Sequence, residues 1–156
     1  MKRTLAIAAV TACISLYSAV VVSQGQDRPS IEESAYSFRD GIFHAIEWKS
    51  QALVAAQEKG DAIAFKSHAA DMANLASMLT EGFIPNSLVE GSLAKKIIWI
   101  DWEQFETFAA NFENNVRAMA VDDYNMANFD EKAFLRSNCG RCHKEFKVRA
   151  AIPLRR

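Results

Sequence analysis

The sequence is poor in cysteine, proline and glycine: its 156 residues contain three, three and six of them respectively. Three cysteines are too few for the disulfide framework that stabilises many small secreted domains. The prolines and glycines that separate successive strands are also scarce, and no alternation of apolar and polar residues is long enough to predict a strand. No internal repeat or low-complexity tract is visible. We therefore expect a single all-α domain.

The sequence also lacks an excess of either charge, with 18 Lys+Arg against 19 Asp+Glu and a formal net charge of −1. Such a balance gives no reason to expect nucleic-acid binding. The one long apolar run covers residues 5–22 and follows Lys2 and Arg3, which is the arrangement of a secretory signal peptide. We predict a signal peptide over about residues 1–25 and export to the periplasm. Loss of Lys2 and Arg3 leaves 16 Lys+Arg against 19 Asp+Glu, a net charge of −3.

Two other interpretations of the N-terminus remain open. Cys13 follows Val10, Thr11 and Ala12 and could be the acylated cysteine of a lipoprotein, although the apolar run continues well beyond it. The run of 18 mostly apolar residues also approaches the length of a membrane-spanning helix, so it could stay as an uncleaved anchor. Export is common to all three interpretations.

Four segments of residues 26–156 have apolar residues at helical spacing and residues suited to capping at their ends. The connection over residues 82–100 is the only long one between them. Together these features predict an antiparallel four-helix bundle with a crossover between its second and third helices. The predicted boundaries are Ser30 to Gly60, Asp61 to Gly82, Asp101 to Asp122 and Asn128 to Pro153, and the apolar stripe of the first helix comprises Ile31, Ala35, Phe38, Ile42, Ile46 and Leu53.

The chemistry of the chain is concentrated in a C-x-x-C-H motif at residues 139–143. On a regular helix of about 100° per residue, Cys139, Cys142 and His143 project from one face. Two thiols so placed can add to the vinyl groups of a haem, and the imidazole can bind its iron from the same side. The motif therefore predicts one covalently attached haem c per chain, with His143 as the metal ligand.

Three other functions of this motif fit less well. A zinc site needs three or four protein ligands, and the only further cysteine is Cys13 in the predicted signal peptide. A thioredoxin-like C-x-x-C motif belongs in a βαβ unit, for which no strands are predicted. A structural disulfide between Cys139 and Cys142 would leave the adjoining His143 without a role. Haem attachment accounts for all three side chains.

A C-x-x-C-H motif on the last helix of a four-helix bundle resembles the class II c-type cytochromes, above all the cytochrome c′ family. Residues 83–87 and the Ile98-Trp99 pair also resemble elements of the crossover in that family. The resemblance implies that Arg39 binds a haem propionate, that Trp99 lies near the haem edge and that Lys147 lies beside His143. Otherwise Arg39 would be a surface residue paired with a carboxylate, Trp99 would fill the crossover, and Lys147 would belong to a solvated basic end.

In low-spin members of that family, a methionine four residues after the arginine binds the iron as sixth ligand. This chain has Phe43 there, and a phenyl ring has no lone pair to donate. The resemblance therefore implies a five-coordinate, high-spin iron with a crowded apolar face, which binds NO and CO but forms no stable complex with dioxygen. His44 is an alternative ligand, but it lies about 100° further round the helix and should face a groove or solvent.

We therefore expect a periplasmic gas-binding haem protein that scavenges or senses NO. The alternative is a periplasmic one-electron carrier in respiration, with redox partner proteins that its basic C-terminal end could contact. Enzymatic turnover is not expected, since no acid/base residue is placed to act on a bound ligand. Phe105, Phe108 and Phe112 are expected in the core, where they could touch the haem. The resemblance further implies a homodimer formed through the first two helices, with Ile42 or Trp48 as candidate contacts.

Overall fold

The computed structural model of the chain describes residues 28–149, which form helices joined by turns and one long crossover. Its only β-structure in this range is an isolated bridge between Ala94 and Lys147. The predicted signal peptide, Cys13 and Pro153 lie outside the described residues. Within that range, no helix has the length and apolar character needed to cross a bilayer. The all-α class predicted from the sequence is confirmed.

The first helix, α1 (Ile31–Lys59), begins and ends where the capping residues predict. Ser30 and Glu33 form a capping box, in which each side chain accepts a hydrogen bond from the other residue's backbone N–H, at 3.1 and 2.7 Å. Gly60 ends the helix in the left-handed conformation with φ 69°, which glycine adopts at little cost.

The second helix, α2 (Ala62–Ser77), begins as predicted, with the Asp61 carboxylate accepting from the Ala64 N–H at 2.9 Å. Its predicted end at Gly82 is wrong, because the helix stops at Ser77 and a short 3₁₀ turn follows at Glu81–Phe83. Gly82 has a different function. A Cβ added there would lie only 2.4 Å from the Cβ of Arg39, so the absent side chain allows the crossover to approach α1.

The third helix, α3 (Trp102–Met119), follows a single helical turn at Ile97–Ile100. The fourth, α4, is made of three consecutive segments: an α-helical turn at Glu131–Phe134, a π-helical segment at Leu135–Gly140 and a final α-helical segment at Arg141–Phe146. Its cap is Asp130, which accepts from the Ala133 N–H at 2.9 Å, and not Asn128 as predicted. The helix also ends at Phe146, well before Pro153.

The core lies where α1, α2 and α3 pack together, and side chains such as Leu53, Phe65, Met72 and Val116 are fully buried there. The buried face of α1 differs from the predicted stripe. Ile31 and Phe38 are 66% and 42% exposed, while Arg39 is buried, because the crossover packs against Arg39.

The candidate dimer contacts on α1 have opposite placements. Ile42 is only 6% exposed and belongs to the core, so its proposed role as a surface contact is wrong. Trp48 is 57% exposed on the outer side of α1, where its ring meets His68 of α2 edge to face. Of these two residues, only Trp48 is exposed enough to be a contact in the predicted dimer.

The crossover, residues 78–101, reaches the far end of α4 through backbone hydrogen bonds. The Lys95 N–H donates to the Phe146 carbonyl at 2.9 Å, and the Val148 N–H donates to the Leu93 carbonyl at 2.7 Å. These bonds align a short stretch of the crossover with the residues that follow α4. The arrangement closes one side of a cavity between α1 and α4.

Candidate haem site

A cavity of 610 Å³ lies between α1, α3, α4 and the crossover. Its volume is within the range of about 300–1,000 Å³ typical of cofactor sites. Cys139, Cys142 and His143 all line it, although the π-helical segment departs from the regular helix assumed for the motif. Most of the remaining wall is aromatic or aliphatic, and it includes Phe43, Phe83, Phe105, Phe108, Phe112, Phe134 and Phe146.

The two cysteines are available for thioether bonds, and the imidazole is available as a metal ligand. Cys139 and Cys142 are both free, so no disulfide competes for them. Burial raises the pKa of the Cys139 thiol, and burial followed by the effect of Cys139 raises the pKa of Cys142 to about 11. Burial and then the charge of Lys147 lower the pKa of His143, which keeps the imidazole neutral and able to bind a metal. The residues therefore fit a covalently bound haem.

The π-helical segment that carries Cys139 is held by two side chains of α4. Ser137 donates to the Ala133 carbonyl at 2.9 Å, and Asn138 donates to the Phe134 carbonyl at 3.0 Å. The Asn138 Oδ1 accepts from Asn115 of α3 at 2.7 Å. Widened turns of this kind often occur at functional sites. Here the hydrogen bonds fix the position of the first motif cysteine relative to α3.

Arg39 is 3% exposed, and both terminal nitrogens of its guanidinium donate hydrogen bonds to the crossover. One terminal nitrogen donates to the Gly82 carbonyl at 2.8 Å and to the Ser87 hydroxyl; the other donates to the Ser87 carbonyl at 2.7 Å and to the Ser92 hydroxyl at 2.9 Å. The guanidinium also lies 4.7 Å from the centre of the Phe83 ring. The surface pairing with a carboxylate is therefore wrong for Arg39.

These bonds use all four N–H groups on the terminal nitrogens of Arg39. The side chain also lines the cavity, so its predicted contact with a haem propionate is geometrically accessible. A terminal N–H could bind a propionate only by leaving or sharing an acceptor in the crossover. The propionate role stays a prediction, while the attachment of the crossover to α1 is observed.

Phe43 lies on the wall of the cavity formed by α1, and His143 lies on the wall formed by α4. The Phe43 ring is 38% exposed and makes an edge contact with Phe83, with the ring centres 6.4 Å apart. No sulfur or nitrogen ligand is contributed at this position. The structure therefore brings together the aromatic residue and the histidine that the sequence predicts on opposite sides of the iron.

The α1 wall is less uniformly apolar than the sequence suggested. Ser50 is buried at 8% exposure and lines the cavity two turns beyond Phe43. His44 also lines it, but its side chain is 73% exposed and lies 3.7 Å from Asp40 and 3.9 Å from Glu47. These three ionisable side chains mark the outer rim of the cavity.

The last two predicted site residues differ in their distance from the cavity. Lys147 lines it, directly after α4. Trp99 does not line it and instead donates from its indole nitrogen to the Phe83 carbonyl at 2.7 Å. Its ring centre is 6.2 Å from that of Phe83, which itself lines the cavity. Trp99 is therefore placed to support a residue of the cavity wall, and a direct haem contact stays a prediction.

Sequence reasoning missed four polar residues that hold the site together: Ser87, Ser92, Asn115 and Asn138. Ser87 is fully buried between the crossover and Arg39. Because Asp40 follows Arg39 directly, the sequence offers a carboxylate as the partner of Arg39 and gives no signal for the serines of the crossover. The pairing of Asn115 with Asn138 has no local signal either.

A helical bundle with a C-x-x-C-H motif on its last helix, facing a cavity of cofactor size, defines a class of covalent haem proteins. Comparison with known proteins agrees with this class. A family model described as Cytochrome C' matches residues 34–147, well over half of the chain. The chain therefore belongs to the cytochrome c′ family, and its membership implies a covalently bound c-type haem.

Solved structures of this family share the fold. Cytochrome c prime from Shewanella frigidimarina has a TM-score of 0.61 and 25% identity, covering 78% of this chain and 100% of its own. Cytochrome c' from Rhodobacter Spheriodes has a TM-score of 0.62 and 26% identity, with the same coverages of 78% and 100%. A nitric oxide complex of a mutant cytochrome c prime from Alcaligenes xylosoxidans has a TM-score of 0.63, but its 20% identity over 79% of this chain and 100% of its own shows the fold alone. No curated protein sequence matches the chain.

Proposed function

We propose that this chain is a periplasmic haem protein that binds NO and CO, and that it scavenges or senses NO. Cys139 and Cys142 would form the two thioether bonds of one haem c, and His143 would be its protein ligand. The bound haem would supply a ferrous iron able to bind diatomic gases. The observation that carries the proposal is Phe43, which lies on the α1 wall where a low-spin relative would supply methionine.

The surroundings of Phe43 favour gases that bind without a hydrogen bond. The ring crowds the α1 side of the cavity, but its edge contact with Phe83 and its 38% exposure leave it free to turn aside. Arg39, one turn before it, is already bonded through its four terminal N–H groups to the crossover. NO and CO need no donor, whereas a dioxygen complex is strengthened by one. We therefore expect no stable complex with dioxygen.

The absorption spectrum of the reduced protein tests the proposal directly. A high-spin spectrum that shifts on addition of CO would support gas binding. A low-spin spectrum that CO leaves unchanged would support the alternative, a one-electron carrier. A long-lived oxygenated spectrum in stopped-flow mixing would contradict the predicted discrimination against dioxygen.

A pair of substitutions on the α1 wall isolates Phe43. We expect Phe43→Met to give a low-spin spectrum and slower CO binding, because the thioether can act as a protein ligand that CO must displace. Ile46→Met is the matched control, since Ile46 lines the same wall one turn further along α1. It should leave the spin state unchanged. Identical spectra for the two variants would show that Phe43 does not define the iron's open side.

We propose no catalytic turnover. Asp40, His44 and Glu47 lie at the rim of the α1 wall, where the His44 side chain is 73% exposed. The buried Arg39 is bonded through its terminal N–H groups to the crossover, so it is not free to exchange a proton with a bound ligand. Addition of hydrogen peroxide with a reducing dye tests this point. Rapid oxidation of the dye, lost in His44→Ala, would assign peroxidase activity to the rim instead.

Export through the N-terminal segment and homodimer formation complete the proposal. Membership in a family that is typically periplasmic supports export. On α1, Trp48 is 57% exposed, and Lys49 covers one face of its ring at 4.8 Å. We expect sedimentation to show a dimer that Trp48→Glu dissociates. A monomeric native protein would refute the dimer without affecting gas binding.

A further inference from the structure

Five cations gather where the crossover meets the end of α4. Two belong to the crossover, and three lie on the last turn of α4 or just after it. The backbone hydrogen bonds between the two segments hold them side by side, and the Lys95 Nζ donates to the Lys144 carbonyl at 2.9 Å. We define the cationic face as Lys95, Lys96, Lys144, Lys147 and Arg149.

The two segments that build this face contribute more positive than negative charge. Only one carboxylate, Glu145, occurs among residues 91–98 and 141–149, the two segments that build the face. None of the five cations forms a salt bridge with a carboxylate of the described residues. The lysine and arginine salt bridges of that range are all elsewhere: Lys49–Asp71, Lys66–Asp122 and Arg117–Glu113. The face is therefore a positive region on a mature chain whose predicted net charge is negative.

The cationic face also carries apolar side chains and adjoins the cavity. Leu93, Ile97 and Val148 are 41%, 40% and 45% exposed on the same two segments. Lys147 of the face lines the cavity, and so does the adjoining Leu93. Protein interfaces commonly combine a few apolar contacts with a charged rim. The face therefore has both the composition of a docking surface and direct access to the rim of the haem cavity.

We propose that the cationic face docks an acidic surface of a partner protein beside the haem cavity. Charge complementarity is the basis for assigning the occupant, because the face is positive while the rest of the chain is acidic. A lipid surface suits it less well. Membrane-surface binding relies on a helix with a broad apolar side, whereas this face is built from a paired extended stretch and the last turn of α4. The proposal extends beyond gas binding and does not depend on which gas is bound.

Binding of a fluorescein-labelled peptide of ten glutamates to the haem-loaded protein tests the docking surface. Fluorescence anisotropy should show binding that weakens about tenfold as salt rises from roughly 20 to 200 mM, because added ions screen exposed charges. The variant Lys96→Glu/Arg149→Glu should abolish most of this binding. The control variant Lys59→Glu/Lys132→Glu changes the net charge equally at the other ends of α1 and α4, and it should retain the affinity within about twofold.

Oxidation of the ferrous protein gives a second measurement. One electron passes from the haem iron to ferricyanide, which becomes ferrocyanide. The net charge of the protein predicts repulsion of this anion, so added salt should speed the reaction if no local face guides it. Attraction to the cationic face predicts the reverse, a rate that falls with salt. In the native protein and the control variant, we expect the rate of oxidation to fall as salt is added. In Lys96→Glu/Arg149→Glu, we expect the rate to rise with salt.

Three outcomes would overturn the proposal. Equal loss of peptide binding in the two variants would show that net charge, and not the face, controls association. Tighter binding to phosphatidylglycerol vesicles than to the peptide, dependent on Lys96 and Arg149, would assign the face to a membrane. Absence of peptide binding at low salt would exclude docking altogether. The CO-induced spectral shift of the same variants measures the proposed gas binding separately.

Discussion

The two ends of the bundle contain similar aromatic side chains but arrange them differently. At the packed end, which we define by Phe65, Tyr124 and Phe129, the rings fill the interior. Phe65 is fully buried, stacks on Tyr124 at 5.8 Å and meets Phe129 at 5.3 Å. At the cavity end, defined by the residues around Phe43 and Phe108, the rings line a space of 610 Å³. Aromatic content alone therefore does not distinguish a core from a cofactor pocket.

The difference lies in what occupies the space between the surrounding elements. At the packed end, touching side chains fill that space, and Gln57 of α1 also donates to the Phe129 carbonyl at 2.8 Å. At the cavity end, hydrogen bonds hold the walls: Arg39 attaches the crossover to α1, and Asn138 attaches α4 to Asn115. Satisfied polar networks of this kind give rigidity without filling the space between the walls. The comparison predicts that the two ends respond differently to the same kind of substitution.

The largest effect should come from truncating a ring at the packed end. We expect Phe65→Ala to lower the free energy of unfolding by about 3–5 kcal/mol, the usual cost of removing a fully buried phenylalanine. The visible spectrum of the haem should not change. Phe108→Ala should cost less, because that half-buried ring faces the cavity on one side, and it should shift the spectrum. Denaturant unfolding measures the loss of stability, and absorption spectroscopy measures the change at the haem. A larger loss of stability in Phe108→Ala, or a spectral shift in Phe65→Ala alone, would contradict the comparison.

Replacement of Arg39 should have the next largest effect. Arg39→Lys keeps the charge but supplies a single nitrogen, so it loses most of the bonds to Gly82, Ser87 and Ser92. We expect a loss of about 2–3 kcal/mol and faster proteolysis within the crossover. Arg117→Lys is the control, since this exposed residue bonds only Glu113 on its own helix and should cost at most about 0.5 kcal/mol. Equal stability of the two variants would mean that the crossover does not depend on Arg39.

Two glycines on and beside α1 provide a matched pair. A Cβ at Gly82 would lie 2.4 Å from that of Arg39, whereas a Cβ at Gly41 would meet nothing within 4 Å. We expect Gly82→Ala to destabilise the protein by about 1–3 kcal/mol through overpacking. Gly41→Ala should instead stabilise it by about 0.5–1 kcal/mol, because alanine favours a helix interior. Thermal unfolding compares them, and a neutral Gly82→Ala would refute the close packing of the crossover.

The smallest effect should come from the bond between α3 and α4. Asn115→Ala removes the hydrogen bond to Asn138, and we expect a loss of about 1 kcal/mol. We also expect a larger fraction of protein with one thioether bond in place of two, because Cys139 follows Asn138 directly. Mass spectrometry and the absorption spectrum measure this fraction. Asn114→Ala, at the exposed neighbouring position, is the control, and an equal fraction in both variants would show that the bond does not position Cys139.

Local signals in the sequence were sufficient for the helices and for the haem-binding motif. The capping box of Ser30 and Glu33, the left-handed Gly60 and the cap at Asp61 all act within one helical turn. The motif residues are also close in the chain, so all three still line the cavity even though the π-helical segment includes Cys139 and ends at Gly140. The prediction of Asn128 as a cap failed because Asp130, two residues later, is an equally suitable capping residue.

Features that depend on distant residues could not be predicted. The sequence predicts a helix end at Gly82, but the constraint on this glycine is its contact with Arg39, which lies on another helix. The partners of Arg39 are backbone carbonyls and serines of the crossover, and such acceptors have no signature in the sequence. The exposure of Phe38 and the burial of Ile42 likewise follow from where the crossover packs. Periodicity identifies a helix, but contacts made elsewhere in the chain decide which of its residues are covered.

The contact of Gly82 with α1 also limits how this sequence can diverge. The atoms nearest to an added Cβ are the Cβ of Arg39 at 2.4 Å and its Cα and N at 3.0 Å, so backbone atoms are involved as well as the side chain. A change at position 39 alone therefore cannot make room for a larger residue at position 82. A lineage that replaces Gly82 must first move the crossover away from α1, for example by altering its length. Across relatives, glycine at this position should disappear only together with insertions or deletions in the crossover.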